Sequence, residues 1–179
     1  MKRILSLTVL LLCLLFNSAS AVTPVQLDDA SSLNEIVERY NDLAERVNSD
    51  NYEGYMREMI PNSFVQSNES MMPYTTTYIS TNIFTGASVL ACVNGDGLVS
   101  GFMIVVPNSQ SSYLCAFIAS QLIAVLDSSL PYRDIQNTCV RSLDRQDTNM
   151  IYSVRHKRGF VVKGDNSDAN YVLLIMAGA

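Results

Sequence analysis

The sequence contains a single histidine, and this scarcity narrows the chemistry that the chain can perform. His156 stands alone among 179 residues, whereas hydrolytic triads, zinc sites and most general-base mechanisms depend on this side chain. It lies between Arg155 and Lys157, with no serine or carboxylate beside it in the sequence. A glycine-rich phosphate loop, a paired-carboxylate motif and a nucleophile elbow are also missing. We therefore assign no catalytic residue, no cofactor and no metal ligand, and a noncatalytic protein is favoured.

Positive charge is also scarce. The chain has 12 lysines and arginines against 17 acidic residues, for a net charge of −5. This sign argues against nucleic acid as the main partner. The one basic cluster consists of Arg155, Lys157, Arg158 and Lys163. It is a candidate surface for anionic lipid headgroups, for a cell-wall polymer or for the acidic N-terminal half of a second copy.

The cysteines are too few and too widely spaced for a disulfide framework or a zinc site. Cys92 fits a small core residue of a strand. Cys115 and Cys139 lie on the apolar faces of two predicted helices joined by a short turn. Their offset along an ideal antiparallel pair strains the limit of about 7 Å between bridged Cα atoms. Buried thiols are therefore favoured, with a Cys115–Cys139 disulfide as the alternative.

The first 21 residues have the pattern of a cleavable secretory signal. Lys2 and Arg3 precede an apolar run, and Ala19-Ser20-Ala21 forms the small-residue end. The apolar run is too short to span a bilayer of about 30 Å. We expect residues 1–21 to be removed, residues 22–179 to form a single domain, and the protein to be secreted or periplasmic.

Helical patterns occur in two parts of the chain. Ser32 and Glu35 form a capping-box signature before an amphipathic helix that ends near Asn48, and residues 51–60 predict a short second helix. Later, the run from Tyr113 to Leu126 is apolar nearly all round, which predicts a buried central helix. Pro131 suits the first turn of the helix that follows.

The remaining patterns predict strands. Short β-rich runs cover residues 63–66, 74–81, 87–93 and 98–106, and the turn at 94–97 is the strongest hairpin signal. Three more runs, at 150–154, 160–163 and 171–176, predict an antiparallel meander. This order predicts an α+β fold with a single antiparallel sheet of six or seven strands. The N-terminal helix and the central helical hairpin are expected to pack mainly on one face.

One strand carries a candidate binding surface. Alternation along the strand places Tyr74, Thr76 and Tyr78 on the same side. Rings and hydroxyls in this arrangement suit a sugar or an extended peptide. Together with Arg155, Lys157 and Arg158, they are the candidate binding residues.

Three functional hypotheses follow from the sequence. The leading one is an exported noncatalytic binding protein of the cell envelope, whose partner is a protein, a glycan or a small ligand, and which has no membrane span after signal cleavage. The second is an exported enzyme whose carboxylates come from distant segments, for instance Glu53, Glu58 or Asp96. The third is a structural subunit that forms a homo-oligomer.

Overall fold

The computed structural model describes residues 31–49, 63–81, 86–154, 158–167 and 169–178. The predicted signal at 1–21 and the predicted short helix at 51–60 lie outside these ranges. Within them, the helices are α1 (Leu33–Ser49), α2 (Ser112–Leu126) and α3 (Tyr132–Arg145), and the strands are β1 (Val65–Gln66), β2 (Thr75–Thr81), β3 (Ser88–Asn94), β4 (Val99–Pro107), β5 (Thr148–Ser153), β6 (Arg158–Asn166) and β7 (Asn170–Gly178).

The seven strands form one antiparallel sheet in the order β1-β2-β3-β4-β7-β6-β5. Two meanders, β1 to β4 and β5 to β7, meet where β4 pairs with β7 at the centre. The helical hairpin of α2 and α3 connects the two meanders. The predicted α+β fold with a single antiparallel sheet is therefore confirmed, and β1 and β5 form its edges.

The predicted hairpin turn joins β3 to β4. The Asn94 Oδ1 atom accepts hydrogen bonds from the backbone N–H groups of Asp96 and Leu98, each at 3.0 Å. Gly97 has a φ of +81°, a region that glycine adopts without a steric penalty. A bulge lies close to the turn: Cys92 pairs with Gly101 and Val93 pairs with Val99, so Ser100 of β4 is the extra residue.

Helix α1 begins with the capping box predicted from the sequence. The Ser32 N–H and hydroxyl both donate to Glu35 Oε2, at 2.7 and 2.9 Å, and the Glu35 N–H donates to Ser32 Oγ at 3.4 Å. These bonds satisfy donors that a helix start would otherwise leave unpaired. Ile36, Val37 and Tyr40 are buried on the face that joins the core.

The main core lies between the helices and one face of the sheet. Phe102, Ile104 and Phe160 reach it from the strands, and α2 is buried along most of its length, as its apolar sequence predicts. Helix α3 lies directly on β6 at Gly164, where an added Cβ would be only 2.1 Å from the carbonyl oxygen of Ser142. The absence of a side chain at Gly164 therefore allows the main chains of α3 and β6 to touch.

The opposite face of the sheet carries a second, smaller apolar cluster. Met72, from the loop before β2, covers the sheet at Gly101, because an added Cβ on this glycine would be 3.0 Å from Met72 Sδ. This part of the sheet is therefore apolar on both faces. The buried members of the cluster are Met71, Leu90, Cys92, Met103, Val172 and Leu174.

Candidate functional site

An open groove lies on the outer surface of the helical hairpin, and we call it the helical groove. Ser111 caps α2 by accepting a hydrogen bond from the Tyr113 N–H at 3.2 Å. This cap places Tyr113 in the first turn, where its side chain is 67% exposed. The groove has a volume of about 390 Å³, and its lining residues are Tyr113, Gln136, Asn137, Val140, Arg141, Asp144 and Arg145.

The spacing of residues on α3 explains why so many polar side chains meet in the groove. Ile135, Cys139 and Leu143 are buried against the core. Residues 136, 137, 140, 141, 144 and 145 occupy the other side of the same helix, because positions three and four apart share a face. One side of α3 therefore stabilises the fold, and the other presents amides, guanidinium groups and a carboxylate.

These groups suit a polar ligand with flat surfaces. The Tyr113 ring offers a stacking surface, and amides such as Gln136 both donate and accept hydrogen bonds. The Arg141 guanidinium is a planar fork that binds a carboxylate or a pair of hydroxyls. Polar side chains outnumber apolar ones in the lining, so the groove suits a polar ligand better than an apolar one.

A small polar cluster joins the three helices, and it consists of Tyr40 on α1, Gln121 on α2 and Tyr132 on α3. The Gln121 side-chain amide donates to the Tyr132 hydroxyl at 2.6 Å. The Tyr40 hydroxyl is buried without a hydrogen bond among the described residues. Burial raises the pKa of Tyr40, and the neighbouring Tyr132 raises this pKa further. Both effects keep the Tyr40 hydroxyl protonated at alkaline pH values at which an exposed tyrosine would lose its proton.

Cys115 and Cys139 are free, buried thiols, and no disulfide joins them. The Cys115 thiol donates to the carbonyl oxygens of Ile104 and Tyr171, at 3.9 and 3.8 Å. Burial raises the pKa of Cys115, and Cys139 nearby raises it further. Burial also raises the pKa of Cys139 to about 11, although a hydrogen bond with Ser120 acts in the opposite direction. Thiols held in the neutral form are poor nucleophiles, so they contribute to packing rather than to reactivity.

The predicted strand surface is divided between two environments. Thr76 and Tyr78 lie on the face of β2 that is turned towards the helices, and Tyr78 is half-buried against the main core. Tyr74 precedes β2 with a φ of +61°, and its side chain is 76% exposed. The three side chains therefore do not share one exposed face, and their role in binding stays a prediction.

The predicted basic cluster is only partly described. Arg155, His156 and Lys157 lie outside the described residues. The backbone of Arg158 begins β6 opposite Ser153, and Lys163 lies farther along the same strand opposite Thr148. Binding through this cluster also stays a prediction.

Sequence reasoning missed the helical groove, although one signal for it was available. The sequence pattern predicts the apolar face of α3, and the polar residues between its apolar positions are the available signal. Tyr113 belongs to the apolar run of α2 by sequence, yet its ring is exposed in the first turn of the helix. Which polar faces meet at a groove depends on how α2 packs against α3, and this packing is not visible in a single sequence.

Two further properties bear on the site. Among the described residues, no group of three or more His, Cys, Asp or Glu side chains is placed to hold a metal ion. Within the same ranges, no helix combines the length and apolar character needed to cross a membrane.

No protein-family model, no curated protein and no solved structure matches the chain.

Proposed function

We propose that the chain is an exported, noncatalytic binding protein of the cell envelope, and that it holds a glycan in the helical groove. The observation that carries this proposal is the exposed Tyr113 ring beside the polar face of α3. Sugars present a flat apolar face and a rim of hydroxyls. A ring flanked by amides and guanidinium groups complements both features.

Export is the second part of the proposal, and the N-terminal sequence supports it. A basic start, an apolar run and an Ala-x-Ala end are the features that the export machinery recognises. A glycan-binding role fits this location, because cell-envelope polymers are accessible only after export.

The buried thiols support the noncatalytic part. Cys115 and Cys139 lie on the two helices that form the groove, and burial raises the pKa of both thiols, which favours their neutral form. The alternative of an exported enzyme gains no support from the described residues. Asp96 is exposed in the hairpin turn, and Glu53 and Glu58 lie outside the described ranges.

Binding to a glycan array tests the site directly. We expect the purified chain to bind a subset of the immobilised glycans. Tyr113→Ala and Arg141→Ala should each weaken that binding at least about tenfold, which corresponds to about 1.4 kcal/mol. Tyr74→Ala is the matched control, since it also removes an exposed ring but lies on another part of the molecule.

Two results would count against the proposal. The first is that the chain binds no glycan on the array although its circular dichroism spectrum shows that it is folded. This result would exclude glycan recognition. Loss of binding in Tyr74→Ala, with Tyr113→Ala unaffected, would move the site to the start of β2.

A further inference from the structure

Strand β5 forms one edge of the sheet and has an unusual composition for that position. Thr148–Ser153 contains no charged residue. Met150 and Tyr152 point away from the helices, with 57% and 55% of their side chains exposed, and Val154 directly after the strand is 81% exposed. An edge strand is a template for pairing with another chain, because one side of its backbone is unpaired.

The two edges of the sheet differ in how they are protected. Strand β1 is only two residues long, and very short edge strands resist further pairing. Strand β5 has six residues, pairs with β6 residue for residue without a bulge, and contains no proline or lysine. Strand β5 therefore lacks four features that protect an edge strand, namely a very short length, a bulge, a proline and a lysine.

One hydrogen bond shows which backbone groups of β5 point away from β6. The Gly164 N–H donates to the carbonyl oxygen of Asp147 at 3.0 Å. Backbone groups alternate from side to side along a strand. The backbone N–H and C=O groups that point towards β6, as those of Asp147 do, therefore belong to Asn149, Ile151 and Ser153. The backbone groups that point away from β6 belong to Thr148, Met150 and Tyr152.

We propose that two copies of this chain pair through β5, antiparallel and around a two-fold axis at Ile151. In this register Met150 of one copy exchanges both backbone hydrogen bonds with Tyr152 of the other, and the same pair forms again across the axis. The Met150 thioether of one copy then lies beside the Tyr152 ring of the other, on the face opposite the helices. A contact between sulfur and an aromatic ring is favourable. A two-fold contact of this kind uses the same strand twice and closes on itself.

The charge pattern of β5 suits pairing with a second copy. Thr148–Ser153 is uncharged, so the register at Ile151 brings no like charges together along the strand, although the chain as a whole carries a net charge of −5. A second copy therefore fits this edge.

Sedimentation velocity of the purified chain over a range of concentrations tests the association. We expect a monomer–dimer equilibrium, with a dissociation constant raised at least about tenfold by Tyr152→Lys, since a charge on the edge opposes pairing. Val65→Lys is the matched control, because it places the same charge on an exposed apolar residue of the other edge. A monomer at all concentrations, or a dimer weakened by Val65→Lys and not by Tyr152→Lys, would overturn the proposal.

Cross-linking tests the register. The double variant Met150→Cys/Tyr152→Cys should form a disulfide-linked dimer, because position 150 of one copy lies opposite position 152 of the other. Met150→Cys alone should stay unlinked, since its two copies would be separated by more than the Cα limit of about 7 Å. Equal cross-linking of the single and double variants would contradict the register at Ile151. The native thiols Cys92, Cys115 and Cys139 are buried and do not compete.

Discussion

At the scale of single residues, Gly164 controls the distance between a helix and the sheet. Its position against Ser142 leaves no room for a side chain. Hydrogen bonds surround this contact: the Ser142 hydroxyl donates to the Val162 carbonyl oxygen at 3.2 Å, and the Asn149 amide donates to the Ser142 hydroxyl at 2.9 Å. A shift of α3 away from β6 would break these bonds together.

Gly164→Ala should therefore lower the free energy of unfolding by about 3 kcal/mol, because backbone atoms have to move to admit the methyl group. Urea denaturation measures the loss. Gly159→Ala is the control in the same strand, since its added Cβ would meet mainly the flexible side chain of Met150, at 3.2 Å from Sδ. Equal losses in the two variants would show that α3 does not press on β6.

The buried ionisable side chains predict a loss of stability at alkaline pH. Burial raises the pKa values of Tyr40, Cys115 and Cys139 above their ordinary values of 10.0, 9.0 and 9.0. Their stabilising effect is complete below those ordinary values, which apply to the unfolded chain. The effect is lost as the pH rises towards the pKa values of the folded chain. For Cys139 this pKa is about 11.

We expect the free energy of unfolding to fall above about pH 9, by at most about 1.4 kcal/mol per pH unit for each group. Denaturation at a series of pH values measures this slope. The variant Cys115→Ala/Cys139→Ala should show a shallower slope over the same range. An unchanged slope in this variant would mean that the two thiols do not titrate in the way their burial implies.

Residue-scale features were predictable where the cause is local. The capping box of Ser32 and Glu35 depends on four consecutive residues, and it was predicted correctly. The contact at Gly164 and the role of Tyr113 depend on which elements become neighbours. No spacing in the sequence reports that information.

At the scale of elements, the hairpin between β3 and β4 depends on the backbone conformation of its turn. Gly95 and Gly97 both have open space around the position of a Cβ atom, and only Gly97 has a positive φ. Replacing each glycine by alanine therefore distinguishes strain in the backbone, expected only at Gly97, from crowding of the added methyl group, expected at neither position.

Gly97→Ala should lower the free energy of unfolding by about 1 to 2 kcal/mol, because an L-residue is strained at that φ. Gly95→Ala should be close to neutral. Thermal denaturation of the two variants compares them directly. A larger loss for Gly95→Ala would contradict the turn conformation described above.

Among the described elements, the type of element was predicted better than its length, above all at the edges of the sheet. The apolar run of α2 and the antiparallel tail follow from composition and periodicity, and both are confirmed. Residues 63–66 were predicted as a strand, whereas β1 consists of two residues. An edge strand gains little from burial, and its pattern therefore constrains its length weakly.

At the scale of the whole molecule, export predicts a specific product. The secreted chain should begin at Val22, and its intact mass should lack residues 1–21. Mass spectrometry of the protein from an exporting host measures this. Ala21→Asp should block cleavage, because the export peptidase requires small residues at that site. Cys13→Ala is the control: it changes a residue of the apolar run, keeps the run apolar and leaves Ala19-Ser20-Ala21 intact, so this variant should be processed normally. Recovery of an uncleaved chain from the wild-type sequence would contradict the export proposal.

The strand order of the whole sheet could not be predicted from the sequence. Each hairpin follows from local turn signals, and those signals say nothing about which strands meet at the centre. The pairing of β4 with β7 is selected by burial of both faces and by the position of the helical hairpin that connects the meanders.

The β4–β7 pairing differs from the other strand pairings in how far apart its two strands lie in the sequence. Every other contact between adjacent strands joins neighbours in sequence, and closing them requires only short loops. The β4–β7 contact joins positions as distant as Gly101 and Met176. We expect it to form late and to limit the folding rate. Between α2 and α3, Ser128 and Ser129 are exposed. A cut there would leave one fragment with β1 to β4 and another with β5 to β7, and the β4–β7 pairing would have to join them again.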